Sequence, residues 1–123
     1  MNLKSPSSQS IPAAPASARA IGNEYDFFRV VQGYLDTASK TINLAPHVAA
    51  ILSQPKNEII VNFPVKMDSG EIRLFKGYRV QHNNILGPFK GGIRYAPMVT
   101  LAEVKARATM VTWKGSLMGL PYG

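Results

Sequence analysis

The sequence has no cysteine, few acidic residues and no long apolar run. Without cysteine, disulfide-stabilised scaffolds and cysteine-ligated zinc sites are excluded, while a reducing compartment is permitted. No apolar stretch approaches the roughly 18 residues that a membrane helix requires, and no apolar core follows Lys4 as it would in a secretory signal. We therefore expect a cytoplasmic protein that does not associate with a membrane.

The first part of the chain differs in composition from the rest. Residues 1–22 are rich in serine, proline and alanine, which cannot bury enough apolar surface to offset the entropy lost on ordering. We expect these residues to form a disordered tail. The remaining residues, 23–123, are enough for one small domain.

Basic residues outnumber acidic residues, with 14 Lys and Arg against 7 Asp and Glu and a net charge of +7. An excess of positive charge attracts anions, either phosphates or carboxylates. Charge alone favours an ordinary solvated basic surface over a binding site. The choice between a binding site and such a surface therefore depends on local motifs.

Two helices are predicted in the first half of the domain. Apolar residues recur every three or four positions over residues 24–44, which indicates an amphipathic helix. Asn23, Glu24 and Asp26 are candidates for its cap and first turn. A shorter helix is predicted over residues 47–54, where Pro55 would end it. His47 stands alone there, and we assign no metal ligand.

Alternating and β-branched residues predict two strands over residues 59–65 and 72–80, joined by a turn at residues 67–70. A further short strand is predicted around Ile93. Thr100, with Glu103 three residues later, predicts a capped helix that runs to about Leu117. The fold class is α/β, with N-terminal helices packed on a mixed sheet (the hairpin plus the further strand) that is followed by a helix.

Two lysines carry the functional hypothesis. Lys90 precedes Gly91 and Gly92, whose backbone N–H groups a ligand could approach closely because no side chain intervenes. Lys114 lies on a helix face among apolar neighbours, where an ammonium group is costly unless it extends to solvent or meets an anion. Each feature alone is weak, since Gly-Gly turns and solvent-reaching lysines are common.

Several motifs in order resemble the glutamate dehydrogenase family, the amino-acid dehydrogenases that act on Glu, Leu, Phe or Val. They are Gly-Pro-Phe-Lys-Gly-Gly-Ile-Arg-Tyr at residues 87–95, Thr-Trp-Lys at residues 112–114 and Leu-Pro-Tyr-Gly at residues 120–123. The similarity extends over residues 24–123 and is most specific from Gly77 onward. Several separated motifs in the same order make this resemblance a stronger indication of function than either lysine alone.

The resemblance implies specific roles. Lys90 would contact the side-chain carboxylate of glutamate, Lys114 would contact the α-carboxylate, and Gly91 and Gly92 would shape the wall of the pocket. Family members that act on apolar amino acids carry an apolar residue in place of Lys90, so this lysine favours a dicarboxylate. The family interconverts glutamate and 2-oxoglutarate with NAD or NADP, and its members are usually homohexamers.

The resemblance also implies that part of the machinery follows Gly123, where the sequence ends. The family's catalytic lysine lies in a Gly-Ala-Lys-Gly-Gly segment after the Pro-Tyr-Gly, and its Rossmann domain lies further on. We therefore expect residues 23–123 to be an incomplete substrate-binding and dimerisation domain, inactive alone, with no catalytic or cofactor-binding residue of its own. Two alternatives remain: a non-catalytic assembly module, and, less favoured, a basic nucleic-acid-binding domain that uses Arg73, Tyr78 and Arg79.

Overall fold

The structure, a computed structural model, describes residues 27–123. The elements in chain order are α1 (Phe27–Thr41), α2 (Pro46–Leu52), β1 (Asn57–Lys66), β2 (Ile72–Gln81) and α3 (Leu101–Leu117). Their types and order confirm the predicted helices and hairpin. The predicted tail and the cap candidates Asn23, Glu24 and Asp26 lie outside the described residues.

Helix α1 ends three residues earlier than predicted because the backbone turns over at Asn43. Asn43 has a positive φ of 49°, a conformation that asparagine tolerates better than most residues. The N–H of Leu44 then donates to the carbonyl of Ser39 at 2.9 Å. This bond satisfies a carbonyl in the last turn and reverses the chain toward α2.

The two strands form an antiparallel hairpin in which Phe63 pairs with Phe75. The predicted turn is confirmed, since the N–H of Gly70 donates to the carbonyl of Met67 at 2.8 Å and Gly70 adopts a φ of 85°. Side chains alternate between the two faces of the hairpin. The rings of Phe63 and Phe75 stack on one face, with centroids 6.2 Å apart.

Helix α3 joins the helical layer to the other face of the hairpin. Its Ala106 packs against Phe28 and Val31 of α1, and Ala102 and Trp113 border this small core. The ammonium of Lys105 forms an ion pair with Glu58 of β1 at 2.8 Å and lies 4.7 Å from the centroid of the Phe28 ring. One side chain of α3 therefore contacts both α1 and the hairpin.

The predicted cap of α3 is confirmed. The side-chain oxygen of Thr100 accepts a hydrogen bond from the N–H of Glu103 at 3.2 Å. That bond satisfies one of the donors that the first turn of a helix leaves unpaired. The helix ends at Leu117, as the sequence predicted.

The further strand predicted around Ile93 was wrong, and the described sheet has two antiparallel strands rather than a mixed arrangement. Glycine pays an entropic cost in a strand, and proline cannot donate to a neighbouring strand. Gly91, Gly92 and Pro97 therefore leave only a short segment between them. Its side chains remain open to solvent, with Ile93 81% and Tyr95 91% exposed.

Within residues 27–123, none of the helices has the length and apolar character needed to cross a membrane.

Candidate functional site

The loop that carries Lys90 is held against the last residues of the chain. Gly87 adopts a φ of 154°, and a side chain there would overlap the carbonyl of Pro121. A side chain at Gly123 would likewise overlap the carbonyl of Asn83. The N–H of Gly123 also donates to the carbonyl of Pro88 at 3.2 Å. Two glycines thus let the two segments approach more closely than other residues permit.

Lys90 extends from this loop, and its ammonium lies 5.6 Å from the centroid of the Tyr122 ring. Gly91 and Gly92 follow as an exposed, irregular segment. A side-chain carbon added to either glycine would meet nothing within 4 Å among the described residues. The paired glycines therefore border open space beside the lysine.

Lys114 lies in the last turn of α3 and is exposed. The next residue, Gly115, is buried, and a side-chain carbon there would lie 3.2 Å from the carbonyl oxygen of Tyr122. The N–H of Leu120 donates to the carbonyl of Gly115 at 2.9 Å. The chain therefore folds back along the end of α3, and Tyr122 contacts both the Lys90 side chain and the residue next to Lys114.

Within residues 27–123, neither Lys90 nor Lys114 takes part in an ion pair, in contrast to three other cations of the domain. Arg94 and Arg107 both bind the carboxylate of Glu103, at 3.1 and 2.9 Å, and Lys105 binds Glu58. The charges of the two candidate lysines are therefore not neutralised by a carboxylate of the described chain.

Two cavities lie away from these lysines. One, of about 300 Å³, is lined by Phe27, Thr100, Ala102 and Glu103 at the start of α3. The other, of about 370 Å³, lies between α2 and the segment after β2 and is partly lined by His82. The lysine site is instead an open surface at the end of α3.

His82 is a buried residue that the sequence analysis missed. Its side chain connects three elements: Nε2 lies 3.1 Å from the carbonyl oxygen of Leu52 in α2, and Nδ1 lies 2.9 Å from the hydroxyl of Thr112 in α3. Burial lowers the pKa of His82, and the bond to Leu52 opposes this shift. A neutral ring fits this geometry, with Nε2–H donating to Leu52 and Nδ1 accepting from Thr112.

A signal for His82 was present in the sequence. Tyr78 and Val80 point to the hairpin face that meets α3, and His82 continues the same alternation one step beyond. The polar character of residues 81–84 instead indicates a segment that leaves the sheet. Since the side chain has two hydrogen-bond partners, its burial satisfies the ring rather than leaving it unpaired.

Comparison with known proteins assigns the family. Residues 55–123 match the family model described as the Glu/Leu/Phe/Val dehydrogenase dimerisation domain. The chain belongs to this family. The match includes the hairpin, the Lys90 loop, α3 and the segment that folds back along it.

Curated relatives of this dehydrogenase domain are glutamate dehydrogenases. The chain is 47% identical over 100 residues to a glutamate dehydrogenase of Thermotoga maritima, covering 81% of this chain and 24% of the relative. It is 62% identical over 73 residues to an NADP(+)-dependent glutamate dehydrogenase of Pyrobaculum calidifontis (59% of this chain, 17% of the relative). It is 42% identical over 102 residues to an NAD-specific glutamate dehydrogenase of Clostridioides difficile (83% and 24%).

Solved structures that match the chain are glutamate dehydrogenases as well. A glutamate dehydrogenase from Peptoniphilus asaccharolyticus matches with a TM-score of 0.75 and 40% identity, over 78% of this chain and 24% of that chain. A hetero-hexameric glutamate dehydrogenase from Thermus thermophilus, in its leucine-bound form, matches with a TM-score of 0.76 and 34% identity, over 83% and 24%. The dehydrogenase domain thus spans about a quarter of the length of these relatives.

The described part of the dehydrogenase domain does not fit a dinucleotide cofactor. Such cofactors bind where a glycine-rich turn joins a strand to the N-terminus of a helix. Here Gly91 and Gly92 follow an irregular segment and lead into another one. Among residues 27–123, the Gly91–Gly92 pair therefore does not form the strand-to-helix turn that would hold the phosphates of a nicotinamide cofactor.

The hairpin geometry also separates the residues that nucleic-acid binding would require. Arg73 and Arg79 share the hairpin face that carries the Phe63–Phe75 stack. Tyr78 lies in the opposite phase, on the face toward α3, and is partly buried. A surface that combines these cations with Tyr78 stacking on a base is therefore not formed within the described hairpin.

Proposed function

We propose that this chain is the substrate-binding and dimerisation part of a glutamate dehydrogenase, which converts glutamate to 2-oxoglutarate and ammonia with NAD or NADP. The observation that carries the proposal is that the Lys90 loop and the end of α3 bearing Lys114 both contact the segment at residues 121–123. The relatives' names supply the reaction.

Lys90 and Lys114 take the two carboxylates of the substrate in this proposal. Lys90 binds the side-chain carboxylate, Lys114 binds the α-carboxylate, and Gly91 and Gly92 form the wall beside Lys90. What supports these roles is that neither ammonium is paired with a carboxylate within residues 27–123. A charge that is free of an internal partner can form a charge-assisted hydrogen bond with a bound anion.

Holding both ends of a small diacid fixes the position of the carbon between them. Such orientation lowers the barrier because the entropy of alignment is lost on binding rather than in the reaction step. Lys90 also provides selectivity, since a monocarboxylic amino acid would leave its ammonium facing an apolar side chain. The cofactor supplies the hydride-transfer chemistry when bound, and the choice between NAD and NADP stays open because the relatives include both kinds.

Assembly is the second part of the proposal. The matched family is described as a dimerisation domain, and the Thermus relative is a hetero-hexamer. We propose that the full-length protein forms a hexamer and that the exposed apolar hairpin takes part in its contacts. Large exposed apolar patches mark association surfaces in soluble proteins.

The proposed function is tested by replacing Lys90 with leucine in the full-length gene product. Losing a hydrogen bond to a charged group costs about 1.5–3 kcal/mol, so kcat/KM for glutamate should fall about 10- to 150-fold. The relative rate with norvaline, which lacks the side-chain carboxylate, should rise. Initial rates of nicotinamide reduction measure both effects.

Lys76→Leu, an exposed lysine of the hairpin, is the matched control and should leave both rates unchanged. An unaltered preference for glutamate in Lys90→Leu would remove the carboxylate assignment. A gene product that oxidises no amino acid but still assembles with active subunits would favour the non-catalytic assembly module.

A further inference from the structure

We propose that Tyr122 is a positioning residue for Lys90: its ring holds the ammonium beside the end of α3 while leaving its charge available to a ligand. The inference rests on the proposed function and deepens it, because it identifies what orients the lysine that selects a dicarboxylate. Tyr122 itself is not assigned a contact with the substrate.

The first support is the contact of the ring with the lysine. The Lys90 ammonium lies 5.6 Å from the centroid of the Tyr122 ring, which is within the distance at which a ring face attracts a cation. A lysine has four flexible side-chain bonds, so an exposed ammonium would otherwise occupy many positions. Contact with the ring favours the positions that lie over Tyr122.

The second support is that the backbone of Tyr122 is fixed from two sides. On one side its neighbour Gly123 donates to the carbonyl of Pro88, in the loop that carries Lys90. On the other side its own carbonyl lies against Gly115 of α3, where there is no room for a larger residue to pack without displacement. The ring therefore stands on a backbone that is held between the loop and the helix.

The third support is that Lys90 contacts an aromatic ring, whereas Arg94 and Arg107 contact a carboxylate. The guanidinium groups of Arg94 and Arg107 are held by the carboxylate of Glu103, which neutralises part of their charge. An aromatic ring attracts an ammonium through its quadrupole and carries no net charge. A ring can therefore orient Lys90 without competing as an anion for its charge.

The test compares three variants of the full-length gene product. Tyr122→Leu removes the ring, Tyr122→Phe keeps the ring but removes the hydroxyl, and Tyr34→Leu removes an exposed tyrosine of α1. For Tyr122→Leu we expect a KM for glutamate about two- to five-fold higher, the size of an exposed cation–ring contact, with kcat little changed. Tyr122→Phe and Tyr34→Leu should match the unmodified protein.

A second measurement reports the contact directly. Reductive ¹³C-methylation of the lysines, with the Lys90 signal assigned by its loss in Lys90→Arg, gives a resonance that the Tyr122 ring shifts. That resonance should move in Tyr122→Leu and stay in place in Tyr122→Phe. A purely structural role of Tyr122 would not require the Lys90 resonance to move in Tyr122→Leu.

The outcomes separate this inference from the function beneath it. An active Tyr122→Leu enzyme with an unchanged KM, or a Lys90 resonance that does not move, overturns the positioning role alone. A Tyr122→Phe variant that behaves like Tyr122→Leu also overturns it, because the hydroxyl rather than the ring would then be responsible. A full-length protein that oxidises no amino acid overturns the proposed function itself.

Discussion

The helical layer and the hairpin of this domain bury their apolar residues to very different extents. Val31 and Ala106 are fully inaccessible between α1 and α3, and Phe28 is 8% exposed. Every residue of β1 is exposed, and Leu74 of β2 is 80% exposed. The helical layer therefore has a small closed core, whereas the hairpin presents apolar side chains that nothing within residues 27–123 covers.

The difference follows from where α3 lies. Helix α3 meets only the end of the hairpin near Tyr78, Val80 and the Glu58–Lys105 ion pair. The opposite face, with the stacked Phe63 and Phe75, remains open. A two-stranded hairpin is marginal in water without further packing. The hairpin is therefore the part of the domain that depends on other surfaces, while the helical layer packs within itself.

The largest effect is expected from a charge buried in the core of the helical layer, compared with the same charge on the exposed hairpin. Val31→Asp should open the helical layer, because an unpaired charge in the core costs about 3 kcal/mol or more. Hydrogen exchange in peptides of α1 and α3 should then accelerate by about two orders of magnitude in the full-length gene product. Val61→Asp, on the exposed hairpin, is the matched control and should leave those peptides unchanged. Equal acceleration by both variants would contradict the separation of the regions.

A smaller effect is expected from a charge on the hairpin, and it concerns assembly rather than folding. Leu74→Asp should weaken association because it places a carboxylate among apolar side chains that would be desolvated at a contact. Light scattering coupled to size exclusion should show smaller species at a concentration where the unmodified protein is fully assembled. Lys76→Asp is the control, because it introduces the same carboxylate in place of a side chain that is already polar. An assembly state that Leu74→Asp leaves intact would show that the part of the hairpin around Leu74 is not a contact surface.

The smallest effect is expected where the two regions meet, at His82. Burial places the pKa of His82 in the folded protein below its usual value of 6.5. The unfolded chain therefore binds the proton more tightly, and the contribution of His82 to stability is full above pH 6.5 and decreases as the pH falls below it. Urea unfolding at a series of pH values should show this decrease.

Two variants check the origin of that pH dependence. His82→Gln should flatten the dependence below pH 6.5, since the titrating group is removed. His47→Gln removes the exposed imidazole at the start of α2 and should retain the dependence. A flat profile in the unmodified protein would contradict the assignment to buried His82.

Local chemistry predicted most of the elements of this fold. The Thr100 cap, the turn at residues 67–70 and the helix that packs Phe28 and Val31 all follow from short-range patterns, and the structure confirms them. Short-range patterns could not show that the strand predicted around Ile93 is absent. Apolar residues in a short segment predict a strand only if an edge is available to pair with, and that depends on the surrounding fold.

The candidate site, like the fold, has residues that the sequence pointed to and residues that it did not. The motifs around Lys90 and Lys114 were visible in the sequence, but their binding roles stay a prediction. Tyr122 belongs to the Leu-Pro-Tyr-Gly motif, but nothing in the sequence pointed to a contact with Lys90, because that contact joins segments more than thirty residues apart in the chain. His82 was missed because its polarity indicated a surface residue, whereas two hydrogen bonds make its burial favourable.

The contacts of Gly87 and Gly123 also order events during synthesis. Residues 83–88 lie against a segment that leaves the ribosome more than thirty residues later, and α1 likewise has its main partner in α3, whereas the two strands of the hairpin pair with each other early in the chain. Since translation proceeds at about 5–20 residues per second, the Lys90 loop lacks its contacts with residues 121–123 for seconds after its own synthesis. The proposed pocket is thus among the last features of the nascent domain to take shape.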